Sequence, residues 1–203
     1  MFLPKLVGTY EMEICALLDR WQSLTWDVIV DVGAAEGYYA LQFARDFRTK
    51  RVVAFDTDSY ARWMVDRNAR RSRVDRRLEV ASLCTAERLE ELGQGAARLL
   101  LFVDIEGAEW ELLQPRQISC LRTAFILVEL HEKERPGVES ELKKRFADTH
   151  NIEIFVSKPR LPSDFPLDGP LSDEMKLEIM NERRPGPMSW MGLTPKSSSG
   201  LGI

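Results

Sequence analysis

The sequence predicts an α/β protein with a doubly wound, mostly parallel sheet. Short segments rich in Val, Ile, Leu and Phe alternate with segments of helical periodicity about five or six times along the chain. Most of these apolar segments are followed at once by polar residues, and in doubly wound sheets ligands bind beyond the carboxyl ends of the strands. These two observations predict a single domain over residues 1–195, with a binding site at one edge of its sheet.

The composition favours one globular domain. With 203 residues, of which 44% are apolar, the chain is long enough to bury one core. The formal net charge of −4 gives no overall reason to expect nucleic acid or an anionic membrane as a partner. No apolar run approaches a membrane span, and the first residues lack a signal-peptide pattern. Cys15, Cys84 and Cys120 have neither paired nor metal-binding spacing, so we expect buried, reduced thiols in a cytoplasmic protein.

The order of the elements follows from the spacing of apolar residues. A helical segment over residues 1–27 comes first, with a helix at about 11–22 for which Thr9 is the expected N-cap. Strands are predicted at 28–32, 51–55, 78–83, 99–103, 125–128, 152–156 and 188–193. Helices are predicted at 38–47, 60–71, 86–92, 109–113, 138–149 and 172–184. We expect the Pro-rich segment 159–187 to form a cap insertion and the Ser- and Gly-rich tail 196–203 to fray.

The turn after the first strand has the features of a cofactor-binding turn. A dinucleotide-binding turn would read G-x-G-x-x-G, but here Ala35 replaces the central glycine that admits a pyrophosphate. Acidic residues flank the turn, which suits an ammonium group better than a phosphate. We therefore expect S-adenosylmethionine, whose methionine part carries an amine, in place of NAD. The residues of this turn predicted to bind the cofactor are Asp31, Gly33, Ala34, Ala35 and Gly37.

The end of the second strand adds a carboxylate at the expected place. Asp56 lies about 20 residues beyond Gly33, where nucleotide-binding α/β units place an acid on the ribose hydroxyls. We predict that Asp56 and the adjacent Thr57 bind the cofactor. Asp58 or Ser59 is expected to cap the helix that follows.

Two further strand ends contribute to the same predicted site. Ser82 and Leu83 form the C-terminal end of the third predicted strand, where the Ser82 hydroxyl or a backbone amide could read the edge of the adenine ring. Asp104, Glu106 and Glu109 follow the most apolar strand of the chain. Carboxylates at the mouth of a buried strand are costly without partners, so they indicate a site, and Asp104 is assigned to the cofactor.

Several short stretches together resemble the FkbM-type family of class I S-adenosylmethionine-dependent methyltransferases. The matching stretches are Asp-Val-Gly-Ala-Ala-Glu-Gly-Tyr-Tyr at 31–39, Ala-Phe-Asp at 54–56, Asp-Ile-Glu-Gly-Ala-Glu at 104–109 and Glu-Leu-His at 129–131. The stretch at 104–109 is the most specific of them. Two departures are Asp56, where the family often has Glu, and the segment 159–187, which matches nothing in the family.

The resemblance implies a Rossmann-like, seven-stranded sheet whose last strand, 188–193, runs antiparallel to the others. It also implies methyl transfer, most often to a hydroxyl group of a sugar or a secondary metabolite. A small-molecule hydroxyl acceptor is therefore the expected partner.

A hydroxyl acceptor needs a group that takes its proton, and a neutral imidazole titrates in the right range. His131 lies just beyond the strand at 125–128, so we predict that it is the base. Glu129 or Glu106 is expected to fix the tautomer of its ring. His150, the other histidine, is expected at the surface.

Two other interpretations stay open. In the first, Asp104, Glu106, Glu129 and His131 hold Mg²⁺ or Mn²⁺, whereas the favoured interpretation uses no metal. In the second, the protein is a non-catalytic module that binds a partner through the basic run at 67–77. Without interleaved aromatic residues such a run is more often a solvated face. A DNA substrate is not expected, because the Asn-Pro-Pro-Tyr type of motif is absent.

Overall fold

The computed structural model describes residues 2–196. The strands are β1 (Thr25–Val32), β2 (Arg48–Phe55), β3 (Leu78–Ala81), β4 (Leu99–Val103), β5 (Phe125–Glu129), β6 (His150–Val156) and β7 (Ser189–Pro195). The helices are α1 (Phe2–Val7), α2 (Met12–Gln22), α3 (Tyr38–Asp46), α4 (Ser59–Arg71), α5 (Ala86–Gly93), α6 (Glu109–Leu112), α7 (Val138–Phe146) and α8 (Asp173–Met180). Two short 3₁₀ helices lie at Ser119–Arg122 and Pro162–Asp164.

The seven strands form one sheet in the order β3-β2-β1-β4-β5-β7-β6. Strands β1 to β5 pair in parallel, whereas β7 lies between β5 and β6 and is antiparallel to both. The predicted α/β fold with an antiparallel last strand is therefore confirmed. Because six strands run in one direction, their carboxyl ends meet at the same edge of the sheet.

Both faces of the sheet are covered, because neighbouring residues of a strand point to opposite sides. All five residues of β4 are buried. Its first, third and last residues join one apolar cluster, and Leu100 and Phe102 join the cluster on the other face. Helix α2 closes the second cluster with Trp21, whose ring meets Phe125 edge-on at 5.7 Å between centroids. The two layers fix β4 at the centre of the molecule.

Several element boundaries differ from the prediction. β1 and β2 begin at Thr25 and Arg48, because their first residues pair with each other across the sheet. β3 ends at Ala81, so Ser82 and Leu83 lie in the loop beyond the strand. The ends of these strands are determined by pairing with strands distant in sequence, and no local sequence pattern reveals that pairing.

Thr9 is not the N-cap of α2, so that prediction is wrong. The cap position is taken by Glu11, which has a left-handed backbone (φ 49°) and makes no side-chain cap. The Thr9 side chain is buried instead, and its hydroxyl has no partner among the described residues.

The predicted positions of His150 and Cys15 are also wrong. His150 is buried as the first residue of β6, with Nε2 2.8 Å from the carbonyl oxygen of Ala124. Cys15 is exposed on α2, whereas Cys84 is buried and Cys120 is half-buried. The pairing of β6 with β7 carries His150 into the interior, which its neighbours in sequence do not reveal.

The segment 159–187 packs against the N-terminal helices. Arg160 pairs with Glu13 of α2 at 2.6 Å and with Glu182 at 2.6 Å. The segment follows β6, which runs parallel to β5, so it leaves the sheet at the carboxyl edge. Its function as a cap over an acceptor stays a prediction.

Only Lys196 of the predicted tail belongs to the described residues, and its Nζ donates to the carbonyl oxygen of Ala147 at 2.7 Å. The rest of the tail, 197–203, lies outside them.

Candidate functional site

A cavity of about 690 Å³ opens at the carboxyl ends of β1 to β4. Its volume lies within the range of roughly 300–1,000 Å³ that is usual for small-molecule sites. Seven of the predicted cofactor residues line it, namely Gly33, Ala35, Asp56, Thr57, Ser82, Leu83 and Asp104. Glu106 from the predicted catalytic set lines it as well. The sheet therefore brings most of the predicted residues to one cavity.

Three residues of the predicted cofactor set do not line this cavity. Asp31 is 1% exposed and lies beneath the turn, where its carboxyl group accepts the N–H of Ala40. Ala34 is buried and donates its N–H to the carbonyl oxygen of Phe55 at 3.0 Å. Gly37 precedes α3 with φ 88° and packs against α4. These residues support the turn from below.

Gly33 is required by the conformation of the turn and by a close backbone neighbour. It has φ 90°, and a Cβ at this position would lie 1.7 Å from the backbone oxygen of Asp104. The neighbour that leaves no room for a side chain is therefore the end of β4. Glycine lets β1 and β4 meet at the floor of the cavity.

Asp56 ties the turn to the end of β2. Its Oδ2 accepts the N–H of Ala35 at 2.8 Å, and its Oδ1 accepts the N–H of Asp58 at 2.8 Å. Each carboxylate oxygen can accept more than one hydrogen bond, so Asp56 keeps acceptor capacity toward the cavity. Asp58 is the N-cap of α4, since its Oδ1 accepts the N–H of Tyr60 at 2.9 Å. The prediction of a cap at this place is confirmed.

The floor of the cavity favours a positive ligand. Burial, followed by the charge of Asp104, raises the pKa of Asp31 to about 8, and Oδ2 of Asp31 has no hydrogen-bond partner among the described residues. Burial also raises the pKa of Asp104 to about 6 although His131 opposes the shift. These carboxyl groups resist ionisation because they are shielded from water and lie close to other carboxylates. A cation in the cavity would relieve that cost.

His131 lies beside the cavity in a fixed orientation. Its side chain is 5% exposed, and Nδ1 lies 2.7 Å from Oε1 of Glu109, which is fully buried. The same oxygen accepts the N–H groups of Ile105 and Gly107 at 3.2 Å each. The buried carboxylate therefore holds the ring with its Nδ1–H toward Glu109 and with Nε2 toward the site.

Nε2 of His131 faces two more carboxylates. It lies 3.5 Å from Oδ1 of Asp104 and 3.5 Å from Oε2 of Glu106. Burial alone would lower the pKa of His131, but the hydrogen bond and charge of Glu109 and the charges of Asp104 and Glu129 raise it to about 9. The ring is thus protonated at neutral pH.

Glu129 does not orient the imidazole. Its Oε1 accepts from Nη1 of Arg184 at 3.0 Å, and it is buried at the end of β5. Arg184 also pairs with Glu11 and with Glu182, and its guanidinium lies over the ring of Trp190. The predicted tautomer partners are thus replaced by Glu109.

The sequence indicates Glu109 only as one of three carboxylates at a site, without a separate role, and it indicates no role for Arg184. Glu109 lies in the stretch 104–109 and begins α6, and this position could have suggested it. Arg184 lies 55 residues from its partner Glu129, and no local signal joins them.

The basic run at 67–77 lies beside two exposed aromatic rings. Tyr60 and Trp63 of α4 stack at 5.4 Å between centroids, and the guanidinium of Arg67 lies 5.1 Å from the Trp63 ring. The run itself contains no aromatic residue, but the fold of α4 places two aromatic rings next to its first arginine. Helix α4 brings Tyr60 and Trp63, which precede the run in sequence, close to Arg67.

No protein-family profile matches the sequence, and no curated protein matches it. Solved structures do share its architecture. A precorrin-6y C5,15-methyltransferase from Geobacter metallireducens is 12% identical with a TM-score of 0.59, over 91% of this chain and 88% of that one. An rRNA methylase from Streptococcus thermophilus is 13% identical with a TM-score of 0.57, over 92% and 99% of the two chains.

An O-methyltransferase from Bacillus cereus, solved in complex with SAH, is 12% identical with a TM-score of 0.54, over 94% of this chain and 80% of that one. The chain therefore has the Rossmann-like fold that these methyltransferases share. At such identities the likeness concerns the fold alone.

No helix within residues 2–196 is long and apolar enough to cross a membrane.

Proposed function

We propose that the protein is an S-adenosylmethionine-dependent methyltransferase that acts on a hydroxyl group of a small molecule, such as a sugar or a secondary metabolite. The observation that carries the proposal is the acidic cavity at the carboxyl edge. Asp56 and Asp104 line it, and Oδ2 of Asp31 beneath it has no hydrogen-bond partner within residues 2–196. A ligand with ammonium and sulfonium charges fits this surface, whereas a pyrophosphate does not.

The fold supports the reaction class, because the three compared structures are described as methyltransferases or as a methylase. The stretches at 31–39 and 104–109, which resemble FkbM-type enzymes, support a hydroxyl acceptor. Membership of that family is part of the proposal.

The residues that would hold the cofactor follow from the cavity lining. Asp56 has free acceptor capacity for the ribose hydroxyls, and Ser82 with Leu83 would meet the adenine edge. Asp104 would lie toward the methionine part. The bound sulfonium supplies an already activated methyl group, so the chain has to align the acceptor, which can contribute roughly 7–11 kcal/mol at best.

The acceptor proton would leave beside His131. As the new O–CH₃ bond forms and the S–CH₃ bond breaks, the hydroxyl proton must pass to a base or to solvent, leaving S-adenosylhomocysteine as the product. Nε2 of His131 lies 3.5 Å from Oδ1 of Asp104 and 3.5 Å from Oε2 of Glu106, and both of these residues line the cavity. Because the pKa of His131 is raised to about 9, Nε2 must lose its proton before it can assist.

The proposal is tested with S-adenosylmethionine labelled with tritium in its methyl group and a set of hydroxyl compounds. His131→Asn keeps approximate size but removes the base, so kcat should fall roughly 10²–10⁴-fold while cofactor affinity is nearly unchanged. Near-normal turnover in this variant would remove His131 from the reaction. If the wild-type chain binds neither S-adenosylmethionine nor S-adenosylhomocysteine, the methyltransferase proposal is wrong and the non-catalytic interpretation replaces it.

A further inference from the structure

We propose that Asp104, Glu106 and His131 bind one divalent metal ion, Mg²⁺ or Mn²⁺, at the acceptor side of the cavity. One ligand atom from each of these residues lies within 4.8 Å of the other two. Nε2 of His131 lies 3.5 Å from each of the nearer carboxylate oxygens. In an octahedral site with bonds of about 2.1 Å, adjacent ligand atoms are about 3.0 Å apart. To complete one face of an octahedron, the two His131–carboxylate distances must shorten by about 0.5 Å, and the two carboxylate oxygens, which are at most 4.8 Å apart, must also approach each other.

The orientation of the ring indicates a ligand more strongly than the acidic residues do. The His131 side chain is 5% exposed, and Nε2 makes no hydrogen bond shorter than these contacts among residues 2–196. Buried Glu109 accepts from Nδ1–H and thereby directs Nε2 between the two carboxylates, where its lone pair becomes available to an ion that displaces the second ring proton. A carboxylate behind a histidine is the usual way in which proteins orient a metal-binding imidazole.

The remaining ligands have the freedom to close on an ion. The Glu106 side chain is 82% exposed and makes no competing hydrogen bond among the described residues, so it can swing toward a metal. Its backbone has φ 54° and is followed by Gly107 with φ 102°, a turn that projects the side chain over the cavity. Asp104 is fixed at the end of β4 by the pairing of its N–H with the carbonyl oxygen of Val32.

The charges and the types of ligand suit Mg²⁺ or Mn²⁺. Two carboxylates and one neutral imidazole balance the two charges of the ion, and oxygen-rich sites suit Mg²⁺ and Mn²⁺. Glu129 is excluded as a ligand, because it pairs with Arg184 at 3.0 Å. This set differs from the four residues that the sequence suggested.

The open positions of the ion define the acceptor. Three protein ligands leave about three of six positions free. If the proposed methyl transfer is correct, two of these positions suit a pair of adjacent oxygens, as in a vicinal diol. The metal would then lower the pKa of the coordinated hydroxyl, and His131 would act as a ligand. Only this last step rests on the proposed function; metal binding does not.

The test is a titration of the metal-free, full-length chain with Mn²⁺, in which electron paramagnetic resonance counts the free ion. The wild-type chain should bind one Mn²⁺. Glu106→Gln, His131→Asn and Glu109→Gln should each weaken binding about 10-fold to 100-fold or more. Glu134→Gln is the matched control, since Glu134 is exposed against the same turn at Gly107 but is not part of the cluster.

Absence of Mn²⁺ binding by the wild-type chain would overturn the proposal. Equal binding by the wild type, by the two ligand variants Glu106→Gln and His131→Asn, and by Glu109→Gln would also overturn it, because the ion would then lie elsewhere. Titration with S-adenosylhomocysteine in parallel separates the two claims. Loss of Mn²⁺ binding with intact cofactor binding leaves His131 as a metal-free base, whereas the reverse result leaves a metal site without a methyltransferase.

Discussion

The chemistry of His131 depends on a residue 22 positions away in sequence. Glu109 is fully buried, yet the hydrogen bonds from His131 and from the backbone hold its pKa below the ordinary value although burial alone would raise it. The pair is therefore ionic in the ligand-free protein, with a carboxylate behind a protonated ring. The site is charged before any ligand arrives.

Replacing Glu109 should expose this dependence. In Glu109→Gln the negative charge is lost, so the pKa of His131 should fall from about 9 toward its ordinary value of about 6.5. NMR titration of the imidazole ring protons in metal-free buffer measures the pKa of His131 in the wild type and in the variant. His150 is an internal control, because it contacts Ala124 and Thr149 and should titrate as before. A His131 pKa near 9 in the variant would contradict the account.

Asp31 should make the stability of the fold depend on pH. Its pKa is about 8 in the folded chain, whereas in the unfolded chain the group ionises near pH 4. The folded state holds the proton more tightly, so stability falls as pH rises from about 4 to 8. Asp31→Asn cannot ionise and should not show this loss.

Denaturant unfolding at pH 5 and at pH 8.5 checks the prediction for Asp31→Asn. The free energy of unfolding of the variant, relative to wild type, should be higher at pH 8.5 than at pH 5 by about 2–4 kcal/mol. The difference between the two pH values isolates the charge from any change in packing. A difference that is the same at both pH values would show that Asp31 ionises normally.

At the scale of elements, Arg184 joins the segment 159–187 to the sheet and to α2. It pairs with Glu129 at the end of β5, with Glu182, and with Glu11 before α2. The side chain is 14% exposed, so its partners are shielded from water. Buried ion pairs contribute little when complete, but a single missing partner leaves a costly charge.

Arg184→Gln should therefore destabilise the chain by about 3–5 kcal/mol. Arg183→Gln is the matched control: Arg183 is 73% exposed and pairs with Glu178 at the surface, so its loss should cost less than about 1 kcal/mol. Limited proteolysis should also cut within 159–187 sooner in the Arg184 variant. Equal unfolding free energies for the two variants would show that the segment is held in another way.

At the scale of the whole molecule, the sequence predicted what depends on local pattern. Apolar runs revealed the strands, and their polar ends revealed the cavity, because parallel strands end at one edge. Asp56 lies at this edge beside the turn, where its Oδ2 accepts the N–H of Ala35, while its predicted contact with the ribose stays a prediction. Local pattern did not reveal that the backbone oxygen of Asp104 leaves no room for a Cβ at Gly33.

The other features that the sequence did not predict share one physical cause. Glu109 and Arg184 act through contacts between segments far apart in sequence, and His150 is buried by pairing at the sheet edge. The roles of these three residues depend on burial and on charged neighbours in the folded state, and no single stretch of sequence contains that information.

The central claim is that the carboxyl-edge cavity binds S-adenosylmethionine through Asp56. Calorimetric titration with S-adenosylhomocysteine tests it most directly, on wild type, Asp56→Ala and the control Asp58→Ala. Asp58 caps α4 in the same loop but does not line the cavity. Both variants are first compared by unfolding, because Asp56 also accepts two backbone N–H groups.

The account predicts one bound S-adenosylhomocysteine per wild-type chain. Asp56→Ala should lose about 2–4 kcal/mol of binding free energy, since each hydrogen bond to a charged group is worth about 1.5–3 kcal/mol. Asp58→Ala should bind nearly as well as wild type. No binding by the wild-type chain, or equal binding by Asp56→Ala, would contradict the claim.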